Sequence, residues 1–202
     1  MSPLTNLRKL AVSLAMFAVV ALGSSAVAKA GPVTLTDGGP GALFGYTASG
    51  FPGSTATALF TLNGNVLTIQ LSNTSTDLNT VLTALGFNTT PEVTVQSFVG
   101  TGVTSGWTLN GALNGQFEVS RNGQGQNEAI QTGGTETLTF TLLNFTGDLT
   151  IDVSAVHMQS LPNGQSDKPT GTELPEPTSM LLLGTGLIGI ATGLRKRFRK
   201  QL

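Results

Sequence analysis

Side chains that could carry out catalysis are few in this sequence, and their spacing is unfavourable. His157 is the only histidine, and no nucleophile motif of the form G-x-S-x-G occurs between residues 31 and 173. Asp148 and Asp152 would lie about 13 Å apart on an extended strand, at roughly 3.3 Å per residue. Inverting glycosidases need two carboxyl groups about 6.5–9.5 Å apart. We therefore expect no catalytic residue and a protein that is not an enzyme, with a secreted hydrolase as the weakest alternative.

Metal and ligand sites are also sparse. The chain has no cysteine, which excludes disulfide bonds and cysteine-ligated metals. No calcium loop of the form D-x-D-x-D-G occurs, and the stretch TDGGPG at 36–41 favours a turn. We expect no metal and no cofactor, with calcium as the alternative because oxygen ligands are abundant in the sequence. The single tryptophan, Trp107, and the single tyrosine, Tyr46, are candidate contacts for a sugar ring, although a lone tryptophan in a sandwich also suits the core.

Charge is segregated along the chain. Eight of the ten basic residues lie before residue 31 or after residue 194, whereas ten of the eleven acidic residues lie within 31–173. Segment 31–173 therefore holds two basic and ten acidic residues, a formal charge of −8. Binding to a phosphate backbone depends on lysine and arginine, so nucleic acid is excluded as an expected partner.

Residues 31–160 are predicted to form short β-strands, which would have to position any functional site. The stretch TLTFTL at 137–142 alternates threonine with Leu138, Phe140 and Leu142, the period-two pattern of a half-buried strand. Segment 149–156 similarly aligns Leu149, Ile151, Val153 and Ala155. Strands are predicted at 33–36, 42–48, 56–62, 65–72, 80–87, 92–99, 104–109, 116–121, 137–142 and 149–156, with 81–87 alternatively forming a helical turn.

Asparagine and glycine pairs separate these strands, and the pair around Asn63 and Gly64 predicts a hairpin. The fold class predicted is all-β, an antiparallel β-sandwich of jelly-roll-like form over residues 31–160. A barrel or a Greek-key sandwich with another strand order is the alternative. Residues 161–174 contain proline and glycine throughout and are predicted to be a linker.

The first 30 residues have the composition of a secretory signal peptide. Arg8 and Lys9 precede an apolar run of 14 residues, too short for a membrane span of about 20 residues. Small residues at Ala28 and Ala30 mark two candidate cleavage positions. We expect export by the Sec translocon and cleavage by signal peptidase after one of these alanines.

The last 28 residues, 175–202, contain three parts in order. Pro175, Glu176 and Pro177 form an extended strip that cannot join a helix. Residues 179–194 are uncharged and would span about 24 Å as a helix, at roughly 1.5 Å per residue. A basic cluster follows, which the positive-inside rule holds in the cytoplasm; it consists of Arg195, Lys196, Arg197, Arg199 and Lys200.

This arrangement resembles the PEP-CTERM sorting signal of exported bacterial proteins. The resemblance covers residues 175–202 and implies a membrane-embedded sorting enzyme, exosortase, that cuts near the motif. It also implies a Gram-negative bacterium that produces extracellular polysaccharide. The helix would hold the chain transiently in the inner membrane before the protein reaches the cell surface or the medium.

We therefore expect a secreted, non-enzymatic surface or matrix protein with a structural or adhesive part in a polysaccharide-rich biofilm. A carbohydrate-binding module at the cell surface, with exopolysaccharide as its ligand, is the alternative. An exposed ring at Trp107 or Tyr46 would favour that alternative.

Overall fold

The structure is a computed structural model that describes residues 31–102, 106–109, 113, 115–121 and 129–174. These residues form eleven β-strands and no helix, which confirms the all-β prediction for this part of the chain. The strands are β1 (Val33–Leu35), β2 (Ala42–Ala48), β3 (Phe51–Asn63), β4 (Val66–Asn73), β5 (Val81–Thr90), β6 (Val95–Gly102), β7 (Trp107–Leu109), β8 (Phe117–Arg121), β9 (Thr135–Leu142), β10 (Leu149–Gln159) and β11 (Thr172–Glu173).

The strands form two antiparallel sheets. One has five strands in the order β1-β10-β5-β8-β7, and the other has six in the order β11-β2-β3-β4-β9-β6. Phe87 of the five-stranded sheet contacts Phe60 and Phe140 of the six-stranded sheet edge to face, with ring centroids 5.5 Å apart in both pairs. The sheets therefore pack face to face around one apolar core, as in a β-sandwich.

The strand order differs from the predicted jelly roll. A jelly roll has eight strands, whereas the described residues form sheets of five and six strands in which β2, β3 and β4 follow one another as neighbours. The order thus fits the alternative of a sandwich with another topology. Local alternation predicts strands and their buried sides, but it does not specify which strands become neighbours.

The hairpin between β3 and β4 forms as predicted. Asn63 pairs with Val66, so Gly64 and Asn65 are the two loop residues. Gly64 has φ of 57°, the left-handed region that a type II′ turn requires at its first central residue. β3 itself begins at Phe51, five residues earlier than the predicted start at 56.

A bulge in β10 changes which residues face the core. The predicted alternation holds at Leu149 and Ile151, both buried, but the pairing with β5 shifts between Ile151 and Ser154. After this shift Val156 and Met158 are buried instead. An extra residue at a bulge reverses the facing of every later residue. β5, predicted as a strand or a helical turn, is a strand.

Candidate functional site

The segment after β10 folds back along that strand. Gly164, with φ of 77°, reverses the chain and its N–H donates to Leu161 O at 2.7 Å. Asp167 and Met158 then exchange backbone hydrogen bonds of 2.9 and 3.0 Å. Residues 161–174, predicted as a linker, are therefore packed against the folded body.

The chain next crosses from one sheet to the other. The N–H of Gly171 donates to Ser154 O of β10 at 2.8 Å. The two residues that follow form β11, in which Thr172 pairs with Gly45 and Glu173 pairs with Phe44 of β2. This crossing joins the five-stranded sheet to the edge of the six-stranded sheet.

A buried hydroxyl pair lies beneath the crossing. Tyr46 Oη and Ser154 Oγ are 2.7 Å apart, and both side chains are buried. Burial raises the pKa of the Tyr46 hydroxyl far above its usual value, and the hydrogen bond to Ser154 offsets only part of that rise. A Cβ atom at position 171 would lie 2.8 Å from Tyr46 Cε1 and 2.7 Å from Ser154 Oγ. We call Tyr46, Ser154 and Gly171 the crossing cluster; it leaves no room for a side chain at residue 171.

The described chain ends on a strand edge. The N–H of Leu174 donates to Leu43 O of β2 at 2.8 Å. Its side chain lies over Gly45, where a Cβ atom would be 3.1 Å from Leu174 Cδ1. The residue immediately before Pro175 is therefore fixed to β2 by a backbone hydrogen bond and by packing.

Most of the predicted sorting and processing residues lie outside the described residues. In the part of the chain that the structure covers, no helix has the length and hydropathy needed to cross a membrane. The predictions outside the described ranges concern the cleavage positions Ala28 and Ala30, the motif Pro175, Glu176 and Pro177, and the basic cluster Arg195, Lys196, Arg197, Arg199 and Lys200.

The two candidate sugar-stacking residues are both buried. Tyr46 is 2% exposed and Trp107 is 5% exposed, so neither presents a ring face to solvent. Trp107 lies in the hydrophobic core, which was the alternative to a sugar contact, and it packs beside Gly100. The alternation of Ala42, Phe44, Tyr46 and Ala48 along β2 was a signal that Tyr46 faces inward. Gly171 carries no comparable sequence signal, because its partners are distant in the chain.

His157 lies half-buried on β10 and is hydrogen-bonded to a threonine. Its Nδ1 is 3.0 Å from Thr83 Oγ1. Desolvation lowers the pKa of His157, and the positive charges of Lys168 and Arg121 lower it further. The arrangement favours a neutral imidazole that helps to join β10 to β5.

The carboxylates do not converge on a cleft in the described part of the chain. Asp152 accepts a hydrogen bond from Thr90 Oγ1 across the β10–β5 pair. Asp77 accepts from Ser54 Oγ at 2.7 Å, and Asp167 accepts from the N–H of Ser49 at 2.6 Å. Among the described residues no group of three or more histidine and acidic side chains is placed to hold a metal ion. These carboxylates therefore tie loops and strands together.

Comparison with protein families assigns the segment that begins at β11. Residues 173–197 match the family described as "PEP-CTERM protein-sorting motif". Comparisons with curated proteins and with solved structures gave no match. The match starts at Glu173, which is paired with Phe44 in the edge of the sandwich. This chain thus carries a PEP-CTERM protein-sorting motif directly attached to an antiparallel β-fold, consistent with a protein that exosortase sorts to the cell surface or the medium.

Proposed function

We propose that this protein is a non-enzymatic structural or adhesive component of a polysaccharide-rich extracellular matrix. The sorting motif implies recognition by exosortase and an extracellular location. In this proposal residues 1–30 direct export through the Sec translocon and are removed by signal peptidase after Ala28 or Ala30. Residues 179–194 and the following basic cluster hold the chain in the inner membrane until the sorting enzyme acts.

The position of the motif relative to the fold supports the proposal. All eleven described strands end before Pro175, and the motif match overlaps them only at Glu173. A cut at or after the proline-bracketed strip would leave every described strand in the released product. The hydrogen bond of Leu174 to β2 would then secure the new end of the chain. The arrangement suits a cargo that must stay folded after it is separated from its sorting tail.

Intact-mass analysis of the native extracellular protein tests this proposal. We expect a product that begins near Gly31 and lacks the basic cluster. Replacing Pro175, Glu176 and Pro177 together with alanine should cause full-length protein to accumulate in the membrane. Replacing Pro162 with alanine in the preceding turn is the matched proline control, and it should leave release unchanged. Unchanged release of the triple variant, or an extracellular form that retains the basic cluster, would contradict exosortase sorting.

A carbohydrate-binding function is the second candidate, and it requires a surface other than the one first expected. The buried rings of Tyr46 and Trp107 cannot stack on a sugar from solvent. The outward side of the six-stranded sheet, however, carries a concentration of uncharged hydroxyl groups. That surface favours a binding role without aromatic stacking.

A further inference from the structure

The outward side of the six-stranded sheet is rich in threonine and carries no charged side chain over the adjoining parts of β3, β4, β9 and β6. Alternate residues of β3, β4, β9 and β6 face away from the core, because the residues between them are buried or pack against it. Eight of fourteen such positions are threonine, two are serine, and none is charged. We define these outward positions, which fall within 57–61, 66–72, 135–141 and 97–101, as the threonine face.

Strand register aligns the threonine face in rows. Thr61 pairs with Thr68, Thr68 pairs with Thr139, and Thr139 pairs with Val99, which makes one row across four strands. The β3–β4 and β4–β9 pairings continue without a register shift. Neighbours within a row are therefore about 4.8 Å apart, and successive rows are about 6.7 Å apart along the strands. Hydroxyl and methyl groups thus repeat at regular intervals over the sheet.

Several of these hydroxyl groups are available to a ligand. Within the described part of the chain, Thr137, Thr139 and Thr141 make no side-chain hydrogen bond. By contrast, Ser72 Oγ and Thr135 Oγ1 at one end of the face pair with each other at 2.9 Å. The three unpaired threonines are half-buried between neighbouring strands and are stiff at χ1, so their hydroxyl groups are held in place.

The absence of charge on this face narrows the class of ligand. A charged polymer would gain no ion pair there, although segment 31–173 as a whole carries a formal charge of −8. Gln70, which is exposed near the middle of the face, offers two amide donors and an acceptor. Val99, 54% exposed, adds an apolar surface suited to the C–H groups of a sugar ring. These groups complement a neutral molecule that carries many hydroxyl groups.

Each hydrogen bond from the threonine face to a ligand would be weak, so tight binding requires a polymer that makes many of them. One hydrogen bond exchanged with water changes an equilibrium by only about two- to tenfold. Many such contacts on one chain add through effective concentration, so affinity rises with ligand length. A twisted sheet is also better followed by a flexible chain than by a planar crystal surface.

We propose that the threonine face binds an uncharged polysaccharide chain lying across β3, β4, β9 and β6. This inference rests on the proposed matrix role and specifies the partner. The contacts are hydroxyl and amide hydrogen bonds from the threonines and Gln70, with methyl and valine groups between them. Binding is selective for long neutral chains over short oligosaccharides and over acidic polymers.

Electrophoresis in native gels that contain a polysaccharide tests this inference with the purified protein. The probes are hydroxyethyl cellulose, dextran and xyloglucan as neutral polymers, cellohexaose as a short competitor and alginate as an acidic polymer. We expect retardation by at least one neutral polymer, no retardation by alginate, and little effect of about 0.5 M salt, since no charge is involved. Cellohexaose should compete poorly.

The matched variants separate the threonine face from the rest of the surface. Replacing Thr137, Thr139 and Thr141 together with valine removes three hydroxyl groups, keeps the β-branched shape and should weaken binding at least tenfold. The control replaces Thr34 and Thr150, a threonine pair on the other sheet, with valine and should bind normally. Equal melting temperatures would show that each variant is folded.

Three outcomes would overturn the inference. They are no retardation by any neutral polymer, equal binding by the triple valine variant, and inhibition of ice growth without retardation by polysaccharide. The last outcome would indicate that the threonine face binds ice and not a polysaccharide. The binding test can use protein with or without the sorting tail that follows residue 174. A negative result therefore counts against the threonine face alone and leaves the test of sorting unaffected.

Discussion

The crossing cluster and the threonine face use the same chemical group in opposite ways. In the crossing cluster the hydroxyl groups of Tyr46 and Ser154 are buried and bonded to each other at 2.7 Å. On the threonine face the hydroxyl groups of Thr137, Thr139 and Thr141 have no partner in the described part of the chain. A buried hydroxyl must be paired within the protein, whereas a half-exposed one can bond water and exchange it for a ligand. Position relative to the core therefore separates hydroxyl groups that hold the fold from those that are free to bind.

The largest effect in this comparison should come from adding one methyl group to the crossing cluster. Gly171→Ala would place a Cβ atom less than 3 Å from Tyr46 and Ser154, which the packed core cannot absorb without movement. Overpacking of this kind costs about 1–3 kcal/mol, and each kcal/mol lowers the melting temperature of a chain this size by about 2–4 °C. The measurement is a thermal melt of the purified protein.

Gly31→Ala is the matched control for this substitution. No atom lies within 4 Å of the added Cβ at residue 31, so the melting temperature should not change. Equal melting temperatures for both variants would show that the crossing segment is not tightly packed against the sandwich.

A smaller effect is expected when a single hydroxyl group is deleted from each region. Tyr46→Phe leaves Ser154 Oγ buried without its partner, which should lower the free energy of unfolding by about 1–2 kcal/mol. Thr139→Val deletes an unpaired, half-exposed hydroxyl and should change stability by less than about 0.5 kcal/mol. Urea titrations of the two variants measure the difference directly. If Thr139→Val were as destabilising as Tyr46→Phe, the distinction between a structural and an available hydroxyl would fail.

Sequence reasoning succeeded where local alternation decides the outcome. The predicted bounds of β2, 42–48, agree with the structure, and the alternation at 137–142 identified the core and solvent sides of β9. It failed where contacts distant in sequence decide. β11 is only two residues long in a segment rich in proline and glycine, and it forms because the edge of β2 offers unpaired backbone groups. The sorting motif was recognisable because it depends on residue order alone.

The candidate sites divide in the same way. The PEP-CTERM sorting motif was found from the sequence, and the family match over residues 173–197 confirms it. The threonine face could not be defined without strand order, because its rows combine residues from β3, β4, β9 and β6 that are far apart in the chain. The bulge in β10 similarly could not be read from alternation, and it decides that Val156 is buried while His157 is only half-buried.

The smallest expected effect is the pH dependence of stability. It arises on the outer side of the five-stranded sheet, where His157 can titrate, whereas the threonine face has no titratable group. Desolvation, aided by Lys168 and Arg121, lowers the pKa of His157 below its usual 6.5 in the folded state. The unfolded chain therefore binds more protons than the folded chain as the pH falls through about 6.5, so stability should decrease below that pH. The effect should be modest because the ring is only half-buried.

Thermal melts between about pH 7.5 and 5 should show a steeper loss of stability for the native sequence than for His157→Gln, which cannot gain a proton. If the two variants gave the same dependence of melting temperature on pH, His157 would have the same pKa in the folded and unfolded chains. The burial of its ring and its contact with Thr83 would then not affect its titration.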